Sequence, residues 1–241
     1  MINKNSPVPI YYQLQEQIKN MIEKGELTPG DLISSEREYA ERYQISRMTI
    51  RQALTKLVDE GYLYRVKGKG TFVAERKIEQ PLQGLTSFTE DMKARGMVPG
   101  NELLSFEIIP AKNLIAGHLN IQEHGPVYEI KRIRLADDVP MALETTYISA
   151  NLIKGLTDEI MRHQSLYDYI EDLQQVKIDR GEQIIESSIA DQMESQYLKI
   201  KKGSPIMLIQ RKSYLEDGTP IELVKSVYRA DRYRFMINMK R

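Results

Sequence analysis

Apolar residues recur at helical spacing three times in the first sixty positions. Ile10, Leu14, Ile18, Met21 and Ile22 form one stripe, with Tyr11 beside it, and predict a helix over 10–23. Pro9 suits its start, and Gly25 lies just past its end. Pro29-Gly30 signals a turn. Ser35-Glu36-Arg37-Glu38 has the spacing of a capping box, in which the serine oxygen accepts from the third amide and Glu38 reaches back. It predicts a second helix with Tyr39, Ala40 and Tyr43 on its apolar side. After a turn at Gln44-Ile45, Ser46 is another cap residue. Ile50, Ala53, Leu54, Leu57 and Val58 then line one face of a third helix, which Gly61 stops. Two short β-prone runs follow, 62–66 and 71–73. They flank Lys67-Gly68-Lys69-Gly70, which predicts a hairpin with a cationic tip.

Residues 74–81 carry no periodicity and end at a proline. They are expected to form a linker between a first domain, 1–73, and a second, 82–241. The second domain begins with a predicted helix over 86–95, ended by Gly96. Strands are predicted at 103–109, 127–135, 141–148, 177–187, 206–214 and 221–228, and helices at 113–119, 166–173 and 192–200. This pattern defines an α+β domain with a mostly antiparallel sheet. It contains a weak internal repeat. Gly125-Pro126-Val127 to Arg132, then Asp138, Pro140 and Tyr147-Ile148, matches Ser204-Pro205-Ile206 to Arg211, then Asp217, Pro220 and Val227-Tyr228. One extra residue near Gly218 is needed to align them. Two related hairpins can place a ligand cleft between them, although hairpins also resemble one another by chance.

Composition sharpens this picture at one point only. Lys plus Arg is 34 and Asp plus Glu is 34, a net charge of zero, which by itself argues against a nucleic-acid binder. The charge is unevenly spread, however. Residues 42–76 hold eight basic and three acidic side chains, a net +5, whereas 1–41 hold four basic and seven acidic, a net −3. Local charge is what attracts phosphate. With no cysteine, disulfides, thiolate metal sites and cysteine nucleophiles are excluded. No apolar run approaches the ~18 residues of a membrane span, and the first residues lack the apolar core of a signal peptide. A cytoplasmic protein is expected, with neither cofactor nor metal.

The order capped helix, short turn, amphipathic helix and cationic hairpin is that of a winged helix-turn-helix. The apolar stripe of the third helix leaves Met48, Arg51, Gln52 and Thr55 on or near the opposite face, with Arg47 and Thr49 at its N-terminal end. That end enters the major groove in such motifs. Arginine can grip guanine with two hydrogen bonds, Thr49 and the helix terminus suit phosphate, and Lys67, Gly68 and Lys69 suit a narrow groove. The bland alternative is a solvated helix face in a small helical domain; the agreement of order, spacing, caps and charge disfavours it. The stretch SSEREYAERYQISRMTIRQALTKLVDEGYLYRVKGKGTFV resembles the DNA-binding domain of GntR-type bacterial regulators, with Ser34 standing where that family has proline. The resemblance implies that Arg37 and Arg47 read bases, that Ser46, Thr49 and Arg51 hold phosphates, and that Gly68 enters the minor groove. Its expected partner is double-stranded DNA with a palindromic operator, bound by a homodimer.

In the second domain, strand alternation puts Arg132 and Arg134 on one face with Tyr128 and Ile130, about 6–7 Å apart. Paired guanidiniums favour phosphate or carboxylate. Ser165, followed by Tyr167, opens a helix and offers a second anion feature. Glu144 and Glu222, on the strands after the two acidic turns, can accept from sugar hydroxyls or an amine. Taken singly, each is better explained as a surface salt bridge; the combination suggests a site. LQGLTSFTEDMKARGM, KRIRLADDVPMALETTYI, SLYDYIE and KSVYRADRYRF resemble the UTRA effector domain of the HutC subfamily, which is similar to the chorismate lyase fold. Within it, the likeness is greatest to regulators of N-acetylglucosamine utilisation. This implies glucosamine 6-phosphate or N-acetylglucosamine 6-phosphate as effector. Arg132, Arg134, Ser165 and Tyr167 would hold the phosphate, and Ser87, Phe88, Thr89, Glu144, Glu222 and Tyr228 would surround the sugar. A repressor is the family expectation. The alternatives are a HutC-type sensor of another small anionic metabolite, a lyase-like enzyme, and an architectural DNA-binding protein without a ligand. The three histidines, His118, His124 and His163, fit no triad or metal spacing.

Overall fold

Each of the three N-terminal stripes becomes a helix: α1 (Ile10–Glu23), α2 (Glu36–Tyr43) and α3 (Arg47–Asp59). The Ser35/Glu38 capping box forms with both bonds in place, and Ser46 caps α3 by accepting from the Thr49 amide at 3.1 Å. Gln44, between α2 and α3, takes the left-handed conformation that ends one helix and turns into the next. Leu14 and Ile18 of α1, Tyr39 of α2 and Ile50, Ala53, Leu54 and Leu57 of α3 bury together with Leu63 and Val73. These last two lie on strands β1 (Leu63–Val66) and β2 (Gly70–Val73), an antiparallel hairpin. Leu32 adds a bridge to Phe72, so the approach to α2 lies along the outer strand of the hairpin.

The computed structural model describes residues 2–4, 6–74, 77–173 and 176–239. It divides into two units, Met1–Lys77 and Ile78–Arg241. The second unit opens with β3 (Ile78–Pro81), α4 (Phe88–Ala94) and β4 (Pro99–Pro110), followed by α5 (Asn113–Leu119), β5 (Pro126–Ala136) and β6 (Val139–Ser149). Next come α6 (Asp158–His163) and α7 (Leu166–Asp168), the latter continuing as a π-helical turn over Tyr169–Leu173. The chain closes with β7 (Ile178–Ile189), α8 (Gln192–Leu198), β8 (Pro205–Leu215), β9 (Pro220–Arg229) and β10 (Tyr233–Met236).

Two short strands and one helix depart from the expected elements. Of the expected linker, residues 75 and 76 lie outside the described residues, and 78–81 form β3, paired in parallel with β10. Ile78 is buried beside Phe88, Met92 and Tyr233, so this stretch is held by a core. Four residues are too few to display a strand period, which is why β3 and β10 escape pattern reading. The six-residue α6 is likewise shorter than two helical turns.

The remaining strands form one antiparallel sheet in the order β4-β5-β6-β9-β8-β7. The internal repeat is larger than the two hairpins. β4, α5, β5 and β6 recur as β7, α8, β8 and β9, displaced by 79 or 80 residues. Even the helix ends agree: Asn120 and Lys199 both cap in the left-handed region, with φ of 51° and 52°. The halves meet where β6 pairs with β9, with Thr145 opposite Lys225. These two are repeat mates, so a local two-fold axis passes between them. Strand alternation then separates two layers. On one face α5 packs over Val127 and Leu223, and α8 over Leu143 and Val227. On the other, α6 and α7 cover Tyr128, Ile130 and Ile148, and α4 covers Tyr228.

Candidate functional site

In the first unit, burying the apolar stripe of α3 leaves Arg47, Met48, Arg51 and Gln52 exposed, with Met48 68% accessible. Thr49 is half-buried, and its hydroxyl lies 2.8 Å from that of Ser46. Arg37, exposed on α2, bonds Glu41 at 2.8 Å. Arg51 is held by Glu36 of α2 through three contacts of 2.9–3.2 Å, and this carboxylate raises its pKa. Arg65 of β1 donates to Thr55 of α3 at 2.9 Å and stands 4.0 Å from Glu36. Glu36 therefore fixes the base of the cationic face. Arg47, Lys67 and Lys69 have no ion pair among the described residues. Lys67, Gly68 and Lys69 form the exposed hairpin tip, where Gly68 has φ of +76°, a conformation that favours glycine. The helix and the tip thus present positive charge on the first unit; Glu36 was not foreseen, although it lies inside the capping-box motif.

In the second unit, the face carrying α4, α6 and α7 opens into a cleft of about 590 Å³, mouth included. The strand register places its lining. Arg132 of β5 lies opposite Glu144 of β6, which lies opposite Ser226 of β9; Arg134, Ala142 and Tyr228 form the adjacent row. Arg132 and Arg134 are 3% and 5% accessible, and Glu222 is 1% accessible. Arg132 forms a short ion pair with Glu144. Arg134 instead donates to Thr89 at 3.1 Å and lies over the Phe88 ring at 4.8 Å, with no carboxylate ion pair among the described residues. Among the described residues, the buried Nε–H groups of both arginines have no hydrogen-bond partner.

The charges respond to this enclosure. Burial, reinforced by Arg132, pulls the Arg134 pKa down to about 10, so it stays protonated at neutral pH. Burial pushes the Glu144 carboxyl up, but Arg132 and Arg134 outweigh it and leave its pKa below the ordinary 4.5. Glu222 moves the opposite way. Burial raises its pKa despite hydrogen bonds from Tyr167 at 2.6 Å and Ser213 at 2.7 Å. Burial also lifts Tyr228 to about 12. The two sheet carboxylates of the cleft are therefore shifted in opposite directions, Glu144 down and Glu222 up.

Most of the expected effector residues meet here. Ser87 and Phe88 line the cleft from the start of α4, Ser165 and Tyr167 from the start of α7, and Glu144, Glu222 and Tyr228 from the sheet. Thr89 bears on Arg134 from behind, in an adjoining depression. Ser165 is engaged as the cap of α7, and the Tyr167 hydroxyl points to Glu222 and Ser213 rather than to the arginines. Thr86, Asp91, Thr146 and Arg211 also line the cleft and were not foreseen. Arg211 is the repeat mate of Arg132. Its neighbour across the strands is Val224 where Arg132 has Glu144, so the local two-fold is broken in charge.

A DNA-reading fold followed by a duplicated α+β domain with a charged cleft defines a class of ligand-responsive regulators, and the sequence comparisons agree. Residues 10–73 match the bacterial regulatory proteins of the gntR family, and residues 94–234 match the UTRA domain. The chain belongs to the GntR family of transcriptional regulators and carries a UTRA domain, which sets it among DNA-binding regulators rather than enzymes. It is 50% identical over 240 residues to the HTH-type transcriptional repressor NagR of Bacillus subtilis (strain 168), covering 100% of this chain and 98% of that protein. It is 34% identical to the mannosyl-D-glycerate transport/metabolism system repressor MngR of Escherichia coli (strain K12), over 97% of each chain. The crystal structure of PhnF from Mycobacterium smegmatis superposes with a TM-score of 0.75 at 33% identity, covering 95% of this chain and 98% of that one. No helix among the described residues is long and apolar enough to cross a membrane.

Proposed function

We propose that the protein represses amino-sugar utilisation genes in the bacterial cytoplasm, binding a palindromic operator as a homodimer and leaving it when an amino-sugar 6-phosphate fills the cleft. The first domain, 1–73, reads the DNA. Arg37 and Arg47 contact bases; Ser46, Thr49, Arg51 and Gln52 contact phosphate or base edges; Lys67, Gly68 and Lys69 follow the minor groove. The observation that carries the effector reading is the buried Arg132–Arg134 pair. Two guanidiniums share one wall, only Arg132 is ion-paired there, to Glu144, and among the described residues the Nε–H groups of both have no hydrogen-bond partner. A buried cation without full compensation is costly. A phosphate dianion supplies the missing charge and acceptors. Glu144, Glu222, Tyr228 and the start of α4 then surround a polar, hydroxyl-rich body, as a sugar requires.

Calorimetry tests this with glucosamine 6-phosphate, N-acetylglucosamine 6-phosphate and the unphosphorylated sugars. The 6-phosphates should bind and the free sugars should bind far more weakly. Equal affinity with and without phosphate would exclude the reading. A second reading, a carboxylate effector, is favoured by the likeness to MngR, whose name concerns mannosyl-D-glycerate. Mannosyl-D-glycerate belongs in the same titration, and its binding in place of the sugar phosphates would select that reading.

A further inference from the structure

We infer that α4 carries the occupancy of the cleft to β3, the strand by which the chain enters this unit, and that Arg95 is the positioning residue that makes the connection; this rests on the effector reading above. The start of α4 is tied to the cleft from both halves of the sheet. From β5, Arg134 donates to Thr89 at 3.1 Å and stacks on Phe88. From β8, Arg211 donates to the Thr86 carbonyl at 3.0 Å and to Gln183 at 3.0 Å. Neither guanidinium has a carboxylate ion pair among the described residues. An anion in the cleft therefore competes for the very donors that hold the start of the helix.

The helix can transmit such a pull as a unit. Its cap is closed by reciprocal Ser87–Glu90 bonds, and Met92 is fully buried beneath it. At its far end stands Arg95. Its Nη1 donates to the Asp91 carbonyl at 2.6 Å and lies 3.5 Å from the Asp91 carboxylate, itself part of the cleft lining. Its Nη2 donates to the Glu79 carbonyl at 2.9 Å and to Gln80 Oε1 at 3.1 Å. Glu79 and Gln80 belong to β3, which pairs with β10 and not with the six-stranded sheet. β3 can therefore shift without breaking that sheet. Arg95 touches the helix on one side and the entering strand on the other, and it does not line the cleft. The physical basis of coupling is an element whose position both sites bias, and this chain of contacts makes α4 such an element. The competing route runs through β10, the other neighbour of β3, and bypasses Arg95.

The experiment measures operator affinity of the full chain with and without saturating N-acetylglucosamine 6-phosphate, in wild type and in Arg95→Met, with calorimetry of the sugar phosphate alongside. The ratio of the two operator dissociation constants is the coupling, on the order of 5–150-fold in typical allosteric proteins. Arg95→Met should still bind the operator alone and still bind the sugar phosphate, while its ratio falls towards one. A wild-type ratio in Arg95→Met overturns the inference. If that variant has a lowered thermal midpoint, Gln80→Ala removes one β3 contact and leaves the Asp91 contacts intact; its ratio must also fall, and a wild-type ratio there overturns the inference equally. A wild-type protein whose operator binding ignores every sugar phosphate defeats the effector reading instead, so the two failures are told apart.

Discussion

Arg134 is the residue on which the effector account leans most. Replacing it by alanine removes a hydrogen-bonded cation, worth about 1.5–3 kcal/mol towards a charged group, which is about 10–150-fold in affinity. Calorimetry on Arg134→Ala should show that loss while operator binding persists; undiminished affinity would return the arginine to a structural role. Glu222 allows a test by pH. Its folded pKa lies above the ordinary 4.5 because the site is buried. Its stabilising contribution is therefore complete below the unfolded value and is lost as pH rises through the folded one. Glu222→Gln keeps an oxygen for Tyr167 and Ser213 but has no proton to lose. The thermal midpoint of the ligand-free variant should thus gain on wild type as pH rises above the ordinary carboxylate value and through the raised folded one; a difference that does not change with pH would contradict this. Alternation places Arg132 and Arg134 on one face in advance; Glu144 could be put only on the strand after the first acidic turn, and the register that sets it opposite Arg132 comes from the fold. Arg211 was not foreseen, because no second arginine stands beside it. The repeat had aligned it with Arg132, yet only the fold shows both on the same cleft.

The helices of the first unit could be read almost to the residue because apolar spacing coincides with end signals, a proline start and glycine stop for α1 and serine caps for α2 and α3. Asn113–Leu119 in the second unit came out equally well. β3, β10 and α6 are too short to show a period, and what orders them is the burial of their own Ile78, Tyr233 and Met161 among residues distant in sequence. The hairpin of β1 and β2 offers a test of an element. Gly70 has φ of +125°, and a Cβ there would meet Leu32 Cδ1 at 2.6 Å. Leu32 is 60% accessible and can swing aside, so the backbone conformation decides the outcome. Such a conformation costs a non-glycine residue on the order of 1–3 kcal/mol. Gly70→Ala should lower the stability of the first unit by about that much and weaken DNA binding, while calorimetry of the sugar phosphate stays unchanged. Chemical denaturation that finds no loss would show that the hairpin adapts freely.

For the whole molecule, a net charge of zero conceals a cationic reading face joined to a near-neutral sensor. One recognition helix spans only a few base pairs, so specificity calls for two copies on a symmetric site. Sedimentation should find a dimer at micromolar concentration and two chains per operator duplex; one chain per duplex would exclude the symmetric account. A ligand can change DNA binding only if it favours one arrangement of the protein over another. The central claim is that an amino-sugar 6-phosphate does so. Its most direct test is fluorescence anisotropy of a duplex selected by the protein from random DNA, titrated with N-acetylglucosamine 6-phosphate and glucosamine 6-phosphate at fixed salt. The account predicts a palindromic selected sequence and its release by at least one of the two, with the unphosphorylated sugars inert. Anisotropy that holds steady through saturating concentrations of both sugar phosphates would contradict it.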